Sequence, residues 1–183
     1  YCIIPYVRGK LESRPDEEIL SETKKLAAAG FHEIVLTGIH LSSFGVDREF
    51  DKINADSFLK LQGKYLLGLL RKMAEIPGVE RLRLGSLEPR IITEEFVKKL
   101  AEIPEICPHF HLSLQSGCDD TLIRMNRHYS TEDYLQCVGI LRKYFEEPAV
   151  TTDIIVGFPG ETETEFETTC EFAKKVRFAQ IHV

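Results

Sequence analysis

The stretch His109-Phe110-His111-Leu112-Ser113-Leu114-Gln115 alternates strictly, with Phe110, Leu112 and Leu114 on one side and His111, Ser113 and Gln115 on the other. Successive side chains of a β-strand point to opposite faces, so the run reads as a strand with one apolar and one polar face. The pattern recurs twice. Arg81 and Arg83 oppose Leu82 and Leu84, and Thr151 and Asp153 oppose Thr152 and Ile154. A central parallel strand covered by helices on both faces is expected to be apolar throughout. Alternation therefore predicts helices on one face only, with the other meeting water or a polar ligand, as the lining of a barrel does.

Working outward, the apolar and β-rich runs place strands at 33–37, 81–86, 109–115, 150–157 and 178–183, with helical patterns between them. Pro15, followed by Asp16, Glu17 and Glu18, opens a helix that runs to Gly30, and Ile19, Leu20, Thr23, Leu26 and Ala27 share its period. Ser130 with Asp133 and Thr162 with Glu165 sit at capping-box spacing, each ahead of one apolar stripe. Such alternation of strand and helix argues for βαβ units and a parallel sheet, with the polar insert 47–56 in the longest gap. Two α/β architectures stay open, part of a barrel and an open doubly wound sheet. The polar face favours the barrel, with a cofactor in its lumen. Four turns follow the strands: Thr37-Gly38-Ile39-His40, Ser86-Leu87-Glu88-Pro89, Ser116-Gly117-Cys118 and Gly157-Phe158-Pro159-Gly160-Glu161. They lie where parallel α/β folds bind ligands.

Composition narrows the class. At 183 residues and 43% hydrophobic, the chain can bury one core. No run of 18 apolar residues is present and no segment reads as a signal peptide, so neither a membrane span nor secretion is expected. The net charge of −6 makes this piece alone a poor nucleic-acid binder. The chain begins at Tyr1 and ends in a strand at Val183, so a longer protein is expected on both sides. The five cysteines (Cys2, Cys107, Cys118, Cys137, Cys170) are odd in number, and none is two or three residues from another. This argues against a disulfide framework. Cys107, Cys137 and Cys170 read as small buried residues in a reducing, cytoplasmic setting. There is no P-loop, no G-x-G-x-x-G and no H-E-x-x-H. His109 and His111 share a strand face but lack a third ligand at metal spacing, and His128 and His182 read as surface or packing residues.

From the residues alone the reading stops at an α/β barrel with a polar mouth. Resemblance extends it. Cys2-Ile3-Ile4-Pro5-Tyr6-Val7-Arg8-Gly9, followed by Ser13-Arg14-Pro15, resembles the segment that begins at the third cysteine of the radical S-adenosylmethionine motif in methylthiotransferases. Glu33-Ile34-Val35-Leu36-Thr37-Gly38-Ile39-His40, continuing to Phe44-Gly45, resembles the second-strand segment of the branch acting on N6-threonylcarbamoyladenosine. The isopentenyladenosine branch tends to carry Gln-Asn where this chain has Ile39-His40. His111 to Gly117, Arg124 to Tyr129 and Thr152 to Thr162 are similar to later motifs of the group.

The resemblance implies a partial (β/α)6 TIM-like barrel of radical S-adenosylmethionine type over residues 1–183, lacking its first strand and last helix. The N-terminal methylthiotransferase domain and C-terminal RNA-binding domain fall outside it. It implies Cys2 as one thiolate of a [4Fe-4S] cluster, one of two clusters in the full enzyme, with an iron left open for S-adenosylmethionine. Ser113, Gln115 and Arg127 match positions toward the methionine end of that cofactor, Glu88 toward a ribose hydroxyl or the amino group, and Asp153 with the Gly157–Gly160 turn toward its adenosine. The implied activity is methylthiolation of C2 of N6-threonylcarbamoyladenosine at position 37 of tRNA. It needs an electron donor and a sulfur source, with tRNA gripped by other domains and by Arg8, Lys10 and Arg14 as minor contributors. Three rivals remain: the same chemistry on isopentenyladenosine or on an aspartate of a ribosomal protein, a cluster-free metabolic barrel enzyme, and a non-catalytic binding module.

Overall fold

The computed structural model describes residues 3–7, 9–52 and 63–183. Among them the chain runs through α1 (Ile4–Val7), α2 (Asp16–Ala28), β1 (Glu33–Leu36), α3 (Lys64–Ala74), β2 (Arg81–Leu84), α4 (Glu94–Ala101), β3 (His109–His111), α5 (Asp119–Arg124), α6 (Thr131–Tyr144), β4 (Ala149–Asp153), α7 (Glu163–Val176) and β5 (Gln180–His182). The local signals did their work. Asp16, Glu17 and Glu18 occupy the first turn of α2, where carboxylates meet the positive end of the helix dipole. Gly30 beyond its end adopts φ +89°, which costs glycine nothing. Both capping boxes form: Ser130 with Asp133 on α6, and Thr162 with Glu165 on α7.

All described strand pairs are parallel. β1 pairs with β2, and β3, β4 and β5 form a second sheet in that order. β2 and β3 lie side by side without a full ladder. Leu82 N–H donates to Glu105 O at 2.7 Å and Cys107 N–H to Leu82 O at 2.9 Å. Further along, Leu87 N–H meets His111 O at 2.9 Å. The strands therefore follow one another in chain order. A doubly wound sheet reverses its order at a switch point, whereas a singly wound barrel does not. The alternative left open by the strand pattern is thereby decided: the fold is a portion of a barrel wall, not a closed barrel.

Burial follows the alternation on β1, β2 and β3, but on β4 the expected polar-face Thr151 is buried along with Val150 and Thr152. Ile34, Leu36, Leu82, Leu84, Phe110, Leu112 and Val150 are buried in one core with Leu66, Leu70 and Met73 of α3, Val97 and Leu100 of α4, Tyr134, Val138 and Leu141 of α6, and Phe172 and Val176 of α7. The opposite, inner face carries Glu33, Arg81, Arg83, His109, His111, Thr151, Asp153, Gln180 and His182. Among the cysteines, Cys107, Cys118 and Cys137 are buried and Cys170 is half-buried. Burial pushes the Cys137 thiol up to about 12 and raises that of Cys107 as well.

All five strands are shorter than their sequence pattern predicts, and two show why. The run 109–115 is a strand only over His109–His111. The Leu112 carbonyl is taken by the Tyr134 hydroxyl at 2.9 Å and the Thr152 hydroxyl at 2.6 Å, and the Leu114 N–H donates to Thr152 Oγ1 at 2.9 Å. Side-chain hydroxyls thus replace ladder partners. The run 150–157 ends at Asp153 because the chain turns through Gly157, at φ +74°.

Candidate active site at the mouth of the half-barrel

The loops leaving the C-terminal ends of β1 to β4 lie together because their strands do. After β1, His40 Nδ1 sits 2.5 Å from Ser43 Oγ, and Ser42 Oγ accepts the Glu88 backbone N–H at 3.2 Å. This joins the first loop to the second. Glu88 precedes the 3₁₀ turn Pro89–Ile91, and its side chain is 12% exposed. Arg90 Nε donates to one of its oxygens. The other, Oε2, is buried with no hydrogen-bond partner among the described residues, since His40 Nε2 stands 3.7 Å away. Burial alone pushes the Glu88 carboxyl up, but His40 and Arg90 outweigh it and hold the group below its usual value. The mouth therefore contains an ionised acceptor with one oxygen to spare.

Gln115 marks the third loop. Its φ is +74°, a conformation that costs a non-glycine residue about 1–2 kcal/mol and that gathers at functional sites. Two hydrogen bonds enforce it: its N–H donates to Asp153 O, and its carbonyl accepts Ile155 N–H, both at 2.9 Å. The Tyr129 hydroxyl donates to Ser113 O at 2.7 Å, which docks the segment containing half-buried Arg127 against this loop. Behind it, Thr169 Oγ1 of α7 accepts the Gly117 N–H at 3.1 Å. A Cβ on Gly117 would stand 2.7 Å from Phe172 Cβ and 2.9 Å from Thr169 Cα, so only glycine fits.

The fourth loop turns on Gly157 and Gly160, at φ +74° and +83°. The Glu161 carboxylate accepts the Gly157 N–H at 2.5 Å and the Phe158 N–H at 3.3 Å. A Cβ at Gly157 would meet nothing within 4 Å, so the space above this turn is open. Arg124 of α5 donates from Nη1 and Nη2 to the Glu165 carboxylate of α7 at 2.9 and 2.8 Å. With the Thr162 N–H also donating, this holds the Glu165 carboxyl down to about 2. Below the turn, Asp153 Oδ2 lies 3.1 Å from His111 Nε2, and His111 Nδ1 lies 3.0 Å from Thr151 Oγ1.

Of the residues proposed from sequence, the structure brings Glu88, Ser113, Gln115, Asp153, Gly157 and Gly160 onto one arc of adjacent strand ends, and Arg127 joins through Tyr129. Cys2 and Arg8 lie outside the described residues. His109 and His111 share the inner face as expected, but they build no metal site. Both ring nitrogens of His111 are engaged, and the three-ligand grouping among the described residues is Cys118, Asp120 and Glu165, the last already gripped by Arg124. The parity of the strand exposed His111 to sequence reading. Sequence reading gave no role to the side chains of His40, Tyr129 or Thr169, whose partners Glu88, Ser113 and Gly117 lie far along the chain. A cavity of about 720 Å³ opens along the side of β1 away from β2, lined by residues 9–14, by Ile19, Thr23 and Leu26 of α2, and by the Thr37-to-Leu41 loop.

Residues 1–173 match the radical SAM superfamily model. The chain belongs to the radical SAM superfamily. Membership implies S-adenosylmethionine and an iron–sulfur cluster. The mouth fits that cofactor: the spare, ionised Glu88 oxygen suits an ammonium group, and open space over Gly157 admits a ligand against the backbone. The radical SAM relatives include proteins named tRNA-2-methylthio-N(6)-dimethylallyladenosine synthase. That of Caldicellulosiruptor saccharolyticus is 42% identical over 178 residues, 97% of this chain and 35% of the relative. That of Clostridium tetani is also 42% identical over 178 residues, 97% of this chain and 37% of the relative. That of Syntrophotalea carbinolica is 40% identical over 182 residues, 100% of this chain and 39% of the relative. This chain thus spans well under half the length of these relatives. Two solved structures share its fold. The radical S-adenosylmethionine methyltransferase TsrM from Kitasatospora setae, solved with cobalamin and a [4Fe-4S] cluster, superposes with a TM-score of 0.63 at 18% identity, covering 92% of this chain and 30% of that one. Coproporphyrinogen III oxidase (HemN) from Escherichia coli gives 0.56 at 15% identity, covering 94% and 39%. Among the described residues no helix is long and apolar enough to cross a membrane.

Proposed function

We propose that this chain is the radical S-adenosylmethionine barrel of a tRNA methylthiotransferase whose substrate is N6-dimethylallyladenosine, the isopentenyladenosine reading. The observation that carries it is 40–42% identity to enzymes of that name over 97–100% of this chain. The substrate drawn from the Thr37–His40 turn, N6-threonylcarbamoyladenosine, rests on one short loop and is outweighed by similarity along the whole length.

When bound, the cluster and S-adenosylmethionine supply one-electron chemistry at the mouth. In this reading Cys2 is a thiolate ligand of the cluster. The spare oxygen of Glu88 would take the ammonium of the cofactor, with Ser113, Gln115 and Arg127 toward its methionine end. The turn from Gly157 to Gly160 offers backbone to the adenosine. The tRNA, the electron donor and the sulfur source are the expected partners, with cytoplasmic location following from tRNA as substrate.

The test is mass spectrometry of tRNA nucleosides from a host deleted for the full-length gene. Loss of 2-methylthio-N6-dimethylallyladenosine, restored by wild type but not by Cys2→Ala, is the expected result. Loss of the threonylcarbamoyl nucleoside instead would transfer the protein to the other branch. Unchanged nucleosides would overturn the tRNA reading.

A further inference from the structure

A second groove lies on the rim of the mouth, between the 3₁₀ turn after β2 and the start of α6. Its volume is about 320 Å³, the size of a small-ligand site. Its floor is apolar, made by Pro89 and Ile92 on one side and by Cys137 and Ile140 of α6 on the other. The two sides are fixed to each other. The Cys137 thiol donates to the Pro89 carbonyl at 3.3 Å, and Pro89, Ile92 and Cys137 are all buried. The groove therefore exists before anything enters it. Both sides are also tied to the mouth, since Arg90 Nε donates to Glu88 and the Tyr129 hydroxyl donates to Ser113 O at 2.7 Å. A ligand against Arg90 is one side chain away from Glu88.

Four polar side chains line this groove: Arg90, His128, Asp133 and Gln136. Arg90 has engaged Nε, while its terminal nitrogens donate to no described residue. The Ser130 N–H and hydroxyl both donate to Asp133 Oδ2, at 2.8 and 2.7 Å, and hold that carboxyl below its usual value. Its Oδ1 has no partner among the described residues. His128 and Gln136 are exposed and hydrogen-bond to no described residue. Asp133, Gln136 and Ile140 follow at helical spacing, so α6 presents them on one face. The set selects its ligand. Asp133 repels a phosphate, and Arg90 repels a metal ion. A cation, an anion and an amide around an apolar floor suit a flat, neutral ring whose edge both donates and accepts. A nucleobase is such a ring. Glutamine pairs with adenine through N6 and N7, and the carboxylate offers a further acceptor for the exocyclic amino group. Histidine and arginine planes are surfaces on which unstacked bases lie.

We infer that this groove holds an adenine base of the RNA, from a nucleotide flanking the one that reacts. The inference rests on the function proposed above. An enzyme that works on a base atom draws that base from the stack, which frees its neighbours for recognition at the rim. Fluorescence anisotropy gives the Kd of the full-length, cluster-loaded enzyme for a labelled anticodon stem-loop RNA. An abasic site then replaces each flanking nucleotide in turn. At one flank the abasic RNA binds wild type about tenfold or more weakly, and guanine in place of adenine there costs a similar factor. Gln136→Leu keeps the bulk, removes the amide and loses about as much on the intact RNA. His128→Ala weakens the intact RNA as well. Gln136→Leu with the abasic RNA is no weaker than either change alone, because both remove one contact. An S-adenosylmethionine Kd within twofold of wild type, by equilibrium dialysis, shows that the mouth of each variant is intact. Gln136→Leu within twofold of wild type on the intact RNA would overturn the inference, as would losses that multiply at both flanks. Equal affinity for adenine and guanine would overturn the choice of base. A groove covered by another segment of the protein would show as a lowered thermal midpoint in Gln136→Leu with RNA affinity unchanged, which also overturns it. Turnover of the same stem-loop is read separately: no methylthiolated product sinks the functional reading, while the anisotropy still decides this one.

Discussion

The two sheets of the half-barrel treat their polar faces differently. On β1 and β2, Glu33 lies in a fork between Arg81 and Arg83, and every charge there has its partner within the pair. On β3 to β5 the carboxylate of Asp153 is held from one side and left open on the other. The loops differ in the same sense. The loop after β3 is tied to α7 through Gly117 and Thr169, while Gly38, after β1, has only Leu41 backbone near it, at 3.8 Å from a built Cβ. A polar face that satisfies itself belongs to the scaffold. A polar face rigidly held but left unfinished is prepared for something that arrives.

The comparison breaks most visibly in stability. Leu112→Ala, at a fully buried position behind the open face, is expected to cost about 2–5 kcal/mol in denaturant unfolding. A cost under 1 kcal/mol would mean the second sheet is not the anchored one. Gly117→Ala should cost about 1–3 kcal/mol by overpacking against Phe172 and Thr169, whereas Gly38→Ala should stay within about 0.5 kcal/mol. Equal costs would erase the difference between the two loops. Gln115→Gly trades relief of about 1–2 kcal/mol of left-handed strain against glycine's extra unfolded-state entropy of about 0.5–1 kcal/mol. Its stability should therefore stay within about 1 kcal/mol of wild type while S-adenosylmethionine affinity falls. Retained affinity would show that the strain serves the backbone alone.

The smallest effect is on the closed side. The arginine pair, Arg83 first and Arg81 next, holds the Glu33 carboxyl down to about 2 from an ordinary 4.5. A depressed carboxylate gives stability that is complete above the unfolded value and lost as pH falls through the folded one. The gap in denaturation midpoint between wild type and Glu33→Gln should therefore close between about pH 4.5 and pH 2, and it should be small because the group is exposed. A gap constant over that window would contradict the ion pairs. Cofactor affinity should not change in this variant.

Local chemistry was legible in the sequence. The capping residues Ser130 and Thr162, Gly30, and the two-residue alternation of β2 and β3 all act within a few positions and formed as expected, whereas on β4 Thr151 is buried along with Val150 and Thr152. Chain order alone left barrel and doubly wound sheet equally open, because neighbour choice among strands is set by packing across 40 or so residues. Strand ends were misjudged where Tyr134 and Thr152, 22 and 40 residues from Leu112, take its carbonyl. In the site, Glu88, Gln115 and Asp153 stood out by motif and parity. The link from Ser42 to Glu88 and the docking of Tyr129 on Ser113 had no local signature to read.

The buried thiols carry a consequence for how such a protein matures. Iron and sulfide are captured by thiolates, not thiols. Cys137, pushed up to about 12 and directing its Sγ at the Pro89 carbonyl 3.3 Å away, stays protonated at neutral pH, and Cys107 is shifted the same way. Both are less available as thiolates than an exposed cysteine. A barrel that must assemble a metal cluster at its rim thereby disfavours Cys107 and Cys137 as competing ligands in its wall.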